Sequence, residues 1–396
     1  MSNIVDYIKW RGDLTFKKSA VNEVDGMIFA KLSYLAFDVL LTESSKTETT
    51  LKEYAQFIKT KGIDPVSMLF VKTQDYVDLL EECENSARFK NIKVSDFYSI
   101  FDPKKEIQFA AVTFELDNKM MVIAYRGTDD TVAGWKEDFN MGFLETVPSQ
   151  AEAVKYLNMV AEKYPDRKLV LAGHSKGGNL ALYSAIMSPL KVNTRIERVY
   201  NYDGPGFLSN IEELPTYKRL IDRITTLVPE SSIIGMLLER KEKSIPVKST
   251  ATGGFNQHSG FTWELIGTKF VHLKQNDKGS RMIDTALKTY LRNSTVEQRK
   301  TFADALSVIL KGYEGYTLTE LTADKIKIIN KLTKGIEGLD KETKNILINS
   351  VRLVFTEGIK GVRQSGQLQL PAVPSGEKSV RSIKVKVKNI AAKKKA

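Results

Sequence analysis

The residues with the sharpest chemical potential lie in KLVLAGHSKGGNLALYSA, residues 168–185. Gly173, Ser175 and Gly177 form a G-x-S-x-G pattern, with an apolar run before it that reads as a buried strand and an apolar helical segment after it. In that setting a serine occupies a strained strand-to-helix turn, and the flanking glycines remove side chains that would clash there. The turn pushes the hydroxyl out above the end of a sheet. A serine hydroxyl is a poor nucleophile until a base takes its proton, and the base must itself be oriented by an acid. Ser175 therefore calls for a histidine and a carboxylate later in the chain.

Only three histidines are available, His174, His258 and His272. His174 adjoins Ser175 on the turn and cannot curl back as its base. His272, in KFVHLK, has strand-like neighbours and reads as structural. His258, in FNQHSGFTWEL, lies in a polar loop just after an expected strand and is the candidate base. Two acids end expected strands, Asp203 in NYDGPGF and Glu230 in TTLVPESS. Asp203 is the first choice and Glu230 the alternative, because either carboxylate would reach the carboxyl edge of a sheet. Negative charge developing on an acyl carbonyl needs fixed donors. The backbone N–H of Lys176 is one candidate, and Thr128 in AYRGTDD, with both an N–H and a hydroxyl, is the other.

The elements that must position these groups are legible as a pattern. NEVDGMIFAKLSYLAFDVLL (22–41) has helical spacing, and the charged residues 45–100 are helix-prone with a break at Pro65. IQFAAVTFEL (107–116) and KMMVIAYRG (119–127) predict two strands joined by a tight turn at Asp117-Asn118. A helix at 151–164, a strand at 168–173, a helix at 179–187 and strands at 196–203, 223–229 and 245–250 follow. Strands alternating with helices predict a mostly parallel sheet covered on both faces. After about Ser280 the pattern is helical: a Ser294–Glu297 capping box precedes a helix whose Phe302, Leu306, Ile309 and Leu310 share a face, and helices are expected near 322–333 and 340–356. The expected organisation is thus a catalytic domain over 1–280, a helical region over 281–357 and a basic tail over 358–396.

Charge and composition narrow the function classes. The chain has 396 residues and a net charge of +11, of which +9 lies in residues 359–396, leaving the body near neutrality. That tail has no aromatic residue for base stacking, so no nucleic-acid partner is expected. It reads either as a solubilising end or as a peripheral contact with anionic membrane. Mean hydropathy is −0.25, and no apolar run approaches the roughly 18 residues that span a bilayer. The opening MSNIVDYIKWRGDLTF places charges where a secretory leader needs an apolar block, so a cytoplasmic, at most membrane-peripheral, location is expected. The single cysteine, Cys83 in EECEN, excludes an intrachain disulfide and reads as an inert thiol. No metal cluster and no nucleotide-binding glycine motif is present, which fits chemistry without a cofactor.

Four motifs in order carry a resemblance. AYRGTDDTVAGWKEDF resembles a pattern F-R-G-T followed by W-x-x-D, here Trp135 and Asp138. GHSKGG resembles an elbow G-H-S-x-G-[GA], and HSGFTW resembles a histidine segment closed by a tryptophan, here Trp263. Together they resemble class 3 (fungal-type) lipases and, more closely, a bacterial lipase-like family, over roughly residues 20–270. The resemblance implies an α/β-hydrolase fold, to which the pattern above adds N-terminal helices and a helical C-terminal extension. It implies Ser175 as nucleophile, His258 as base, Thr128 as an oxyanion donor and Asp138 as the partner that buttresses Thr128. One departure concerns the acid: class 3 lipases take it from D-x-V-P, whereas this chain has VPESS there. NYDGPGF resembles instead the acid-bearing strand end of pancreatic-type lipases, which favours Asp203 and keeps Glu230 in play.

The expectation is a serine hydrolase of carboxylic esters, lipid or phospholipid acyl esters foremost. The stretch SSIIGMLLERKEK (231–243) reads as core or as a lid beside the site. The competing expectation is a non-catalytic hydrolase-fold protein that binds a partner or anionic membrane through its helical region and tail.

Overall fold

Side chains of the central strands alternate between two apolar layers, and that alternation fixes the architecture. In the computed structural model, Met121, Ile123 and Tyr125 face one cluster with Leu169 and Leu171, while Val122, Ala124, Val170 and Ala172 face the other. Both layers are dry because helices cover both faces. The structure describes residues 2–66, 73–128, 137–138, 140–142, 144–208, 211–252 and 254–301, with 341, 345 and 348.

Among the described residues, eight strands form one sheet in sequential order, β1 (Glu48–Thr50), β2 (Lys93–Asp102), β3 (Ile107–Glu115), β4 (Met120–Tyr125), β5 (Lys168–His174), β6 (Ile196–Tyr202), β7 (Ile224–Pro229) and β8 (Ser244–Val247). The first four pair antiparallel, and β4 through β8 pair parallel. The N-terminal helices α1 (Ile4–Arg11), α2 (Glu23–Leu32), α3 (Phe37–Ser44), α4 (Leu51–Lys61) and α5 (Thr73–Asn85) bury their apolar residues in the first cluster. Helices α6 (Pro148–Lys163) and α7 (Lys176–Met187) build the second. A mixed, mostly parallel sheet with helices on both faces and a strand–turn–helix elbow after β5 is an α/β-hydrolase fold.

Helix α2 matters most for the site. Its Asn22 cap accepts from the Val24 and Asp25 amides, and Asp25 is clamped by Arg88 through bonds of 2.8 and 2.6 Å. Both charged side chains are fully buried, so each neutralises the other where neither would be tolerated alone. The Tyr202 hydroxyl on β6 donates to the Glu23 carbonyl at 2.5 Å, which fixes α2 beneath the carboxyl edge of the sheet.

Several expectations are corrected. The helix expected over 22–41 is two helices, α2 and α3, broken at residues 33–36. Residues 45–100 are not wholly helical: KVSDFYSIFD forms β2, with a register shift between Ser95 and Tyr98 and Asp96 at φ 53°. The 107–125 hairpin turns over three residues, with Lys119 at φ 66° and Leu116 N–H donating to the Met120 carbonyl. The C-terminal capping box is Thr295–Gln298, one residue later than expected: the Thr295 N–H donates to the Gln298 side-chain oxygen at 2.8 Å and the Gln298 N–H to the Thr295 hydroxyl at 3.2 Å. Helix Lys278–Asn293 crosses the expected boundary at 280 and packs its Leu291 against Met141, Val147 and Leu238. The apolar face from Phe302, the helices expected at 322–333 and 340–356 and the basic tail lie outside the described residues. Among the described residues, no helix is long and apolar enough to cross a membrane.

Candidate active site

In-register pairing brings the candidate groups to one edge. Tyr125 on β4 pairs with Gly173 on β5, Gly173 with Asn201 on β6, and Tyr202 with Leu227 on β7. The loop after β4, the elbow after β5, Asp203 after β6 and Glu230 after β7 therefore all leave the sheet on its carboxyl side.

Ser175 sits at φ 60° and ψ −135°, with its N–H held by the Tyr202 carbonyl at 2.9 Å. A non-glycine residue in this region stores about 1–2 kcal/mol of backbone strain, which the surrounding structure must hold. The glycines are dictated by contact: a Cβ on Gly173 would lie 2.0 Å from the Gly177 carbonyl oxygen, and one on Gly177 would lie 2.1 Å from the Tyr125 carbonyl oxygen. Gly127 also brings the loop after β4 close to the elbow, since a Cβ there would lie 2.5 Å from the His174 carbonyl oxygen and 3.1 Å from the Ser175 Cβ.

His258 and Asp203 meet. The His258 Nδ1 lies 2.6 Å from Asp203 Oδ2, and Asp203 is fully buried at φ 52°. Because a carboxylate only accepts, the proton sits on Nδ1, which leaves Nε2 of the neutral ring with its lone pair. Asp203 Oδ1 accepts the Ser232 hydroxyl at 2.5 Å and the Gly235 N–H at 3.1 Å. Glu230 does not join this group: its Oε1 lies 3.5 Å from the Gln257 amide nitrogen. His272 is placed away from it, 2.9 Å from Glu23.

The loop that carries His258 is held from three sides. The Trp263 indole N–H donates to the Gln257 carbonyl at 2.8 Å, with the ring fully buried against Tyr202 and Phe270. The Gln257 side chain accepts from the Ser231 N–H at 2.9 Å. His174 Nε2 donates to the His258 carbonyl at 2.6 Å, and the two rings lie 4.5 Å apart. Burial, reinforced by the Lys31 ammonium and by the charge His258 would gain on protonation, holds the His174 pKa well below the ordinary histidine range, so it stays neutral and works as a fixed donor.

On the opposite side the Thr128 hydroxyl donates to Asp138 Oδ2. Lys176 opens α7, so its backbone N–H has no acceptor within the helix. Lys176 lies next to Ser175, and Thr128 next to Gly127, so both donors flank the elbow. Trp135 lies outside the described residues. Among the described residues, no group of three or more His, Cys, Asp or Glu is placed to hold a metal ion. Cys83 is buried in α5, where burial pushes its thiol pKa up.

Sequence reasoning missed Ser232, Gly235 and His174 as holders of Asp203 and His258, and it missed Lys31. The stretch 231–243 is a short turn around Ile234–Met236 with Ile233 and Leu238 buried, and it serves as the cradle of Asp203. Arg240, half-buried, ties this cradle to the Asp203 loop by donating to the Gly204 and Gly235 carbonyls, both at 2.6 Å. Lys31 on α2 is 4% exposed beneath the site, 5.6 Å from the Tyr34 ring and 5.7 Å from the Phe261 ring.

The fold and the elbow define the class as α/β-hydrolase. Residues 83–307, more than half of the chain, match the Mbeg1-like family model, and the chain belongs to that lipase-like family. No curated protein matches it. Solved structures that resemble it include the native Rhizomucor miehei lipase propeptide complex, 19% identical over 41% of this chain with a TM-score of 0.29. A mutant form of MDLA from Penicillium cyclopium is 14% identical over 62% of this chain and 83% of its own, with a TM-score of 0.36. A Penicillium expansum triacylglycerol lipase is 12% identical over 47% and 76%, with a TM-score of 0.29. The chain spans 58% of the length of the Rhizomucor miehei structure.

Proposed function

We propose that the protein is a serine hydrolase that cleaves carboxylic esters, with lipid or phospholipid acyl esters as its substrate class. Ser175 attacks the acyl carbonyl while His258 Nε2 takes its proton. Asp203 keeps the His258 proton on Nδ1 and stabilises the imidazolium that forms. The Lys176 N–H and Thr128 receive the oxyanion. His258 then gives the proton to the departing alcohol; in the second half it takes a proton from the water that attacks the acyl carbonyl and returns it to Ser175 Oγ as the carboxylic acid leaves.

The observation that carries this reading is the 2.6 Å contact between His258 Nδ1 and the buried Asp203, beside a serine held at φ 60° between two glycines that tolerate no side chain. A carboxylate desolvated to this degree and aimed at one imidazole nitrogen is costly unless the pair has work to do. Membership of the Mbeg1-like family and the four lipase-like motifs agree with it. Substitution Ser175→Ala is expected to abolish hydrolysis of p-nitrophenyl butyrate with an unchanged circular dichroism spectrum. Turnover retained by that variant would defeat the proposal.

A further inference from the structure

The Lys176 side chain points away from solvent into the body of the protein, and its charge is fully accounted for there. Its ammonium donates to the Gln108 carbonyl at 2.8 Å, to Gln108 Oε1 at 2.7 Å and to Glu137 Oε2 at 3.1 Å. Those three bonds use all three of its N–H donors. Both charged side chains, Lys176 and Glu137, have no exposed surface. The chain thus reaches from the elbow after β5, past β4, to the start of β3.

Glu137 is anchored in turn. Its Oε2 also accepts the Gln108 N–H at 3.1 Å, and its Oε1 accepts the Ser149 N–H at the start of α6 at 2.8 Å. The next residue is Asp138, whose Oδ2 takes the Thr128 hydroxyl and whose Oδ1 lies 4.0 Å from the Lys176 ammonium. One cation therefore lies against two adjacent carboxylates, and the second of these holds the hydroxyl of Thr128, whose backbone N–H is the candidate oxyanion donor.

We propose that the Lys176 ammonium is a positioning residue that couples the two walls of the oxyanion pocket: its own N–H forms one wall, and through Glu137 and Asp138 it fixes Thr128 in the other. The inference rests on the reading of Ser175 as nucleophile. Without the ammonium, Glu137 keeps a fully buried negative charge next in the chain to the Asp138 carboxylate, with no cation between them and the Gln108 side chain, and the repulsion moves Asp138 off Thr128. A carboxylate that drifts takes the Thr128 hydroxyl with it and shifts the Thr128 N–H, and donors displaced from the oxyanion lose most of their effect on the transition state.

The test measures the rate at which a fluorophosphonate phosphonylates the full chain, because the phosphoryl oxygen of that adduct occupies the oxyanion pocket. Lys176→Met keeps the length of the side chain and removes its charge. It is expected to slow labelling and kcat by about 100-fold, the scale of one oxyanion donor, while KM for a short ester changes less than threefold. The background Thr128→Val separates positioning from general stability. If Lys176 acts through Thr128, K176M/T128V is within threefold of the slower single variant; if the two effects multiply, the inference is overturned. A folded K176M that labels within threefold of the wild type also overturns it. Should K176M fail to fold, Glu137→Gln, which keeps the shape and removes the charge the ammonium is paired with, is expected to slow labelling and to show the same lack of multiplication with T128V; an E137Q protein at the wild-type rate refutes the coupling. Ser175→Ala is the control on the underlying reading: labelling that survives in S175A defeats that reading itself, whereas labelling confined to Ser175 and indifferent to Lys176 defeats only the coupling.

Discussion

Replacing Asp203 by Asn probes the orientation of His258 with a nearly isosteric change. Asp203 is fully buried and accepts three bonds, from His258 Nδ1 at 2.6 Å, Ser232 at 2.5 Å and Gly235 at 3.1 Å. Asparagine keeps one oxygen, which the Ser232 hydroxyl and Gly235 N–H retain because both donate to the same atom. Its amide nitrogen then faces His258 Nδ1 as a donor. The imidazole must answer by accepting at Nδ1, which moves its proton to Nε2 and removes the lone pair that would deprotonate Ser175. The loss of one charge-assisted bond costs about 1.5–3 kcal/mol of stability, so the variant stays folded. The wrong tautomer costs far more in catalysis, a kcat lower by about 10³–10⁴, or roughly 4–5.5 kcal/mol in the barrier. Steady-state hydrolysis of p-nitrophenyl butyrate by D203N and by Glu230→Gln at pH 8 measures both acids side by side. The expected outcome is the large loss in D203N and a change below threefold in E230Q, since Glu230 lies against Gln257 rather than His258. A D203N enzyme within tenfold of the wild type, or an E230Q enzyme that carries the large loss, would refute the reasoning.

Two further predictions concern the charges beneath the site. Burial lowers the Lys31 pKa from its ordinary 10.5 to about 7, against the opposing pull of Asp75 and Asp203. The unfolded chain then binds the extra proton between pH 7 and 10, so stability rises with pH across that window, and below pH 7 the buried ammonium costs on the order of 5 kcal/mol. Lys31→Met is expected to raise the urea midpoint at pH 6 and to flatten its rise towards pH 9; a variant less stable than the wild type at pH 6 would show that the ammonium is a net support. His174 is shifted the same way, by burial first and then by Lys31 and His258. Its unfolded form takes up a proton below about pH 6.5 and its folded form does not, so stability falls with acidification by up to about 1.4 kcal/mol per pH unit from this group. His174→Gln, which keeps a donor for the His258 carbonyl, should remove that part of the slope between pH 6.5 and 5.5, and an unchanged slope would show that His174 is not held neutral.

The elbow was legible because backbone contact leaves no choice at Gly173 and Gly177, so the motif and the geometry are the same statement. The β4 and β5 strands were legible because both of their faces are buried, which writes a continuous apolar run into the sequence. Strand β2 was not: half of KVSDFYSIFD faces solvent, and Asp96 bends it at a register shift, so the apolar alternation is broken where the strand continues. The capping box slipped by one residue because STVEQ contains two overlapping boxes, Ser294–Glu297 and Thr295–Gln298, with equivalent chemistry. At the site, Asp203 and His258 stood out by type and by position at the ends of expected strands. Ser232 and Gly235 did not, because a hydroxyl and an amide 29 and 32 residues from Asp203 carry no pattern of their own until the chain folds them onto it. Lys31 is hidden for another reason: a lysine on an otherwise apolar helix face reads as a boundary residue, and only the packing of Tyr34 and Phe261 around it closes it in.

The central claim is that Ser175 is an activated nucleophile. Intact-mass spectrometry of the full chain after exposure to a fluorophosphonate at pH 8 tests it most directly. The expected result is one phosphonyl adduct per chain, mapped to the peptide containing Ser175, absent in Ser175→Ala and formed at least 100-fold more slowly in Asp203→Asn. No adduct on the folded wild-type protein, or an adduct that persists in Ser175→Ala, would contradict it.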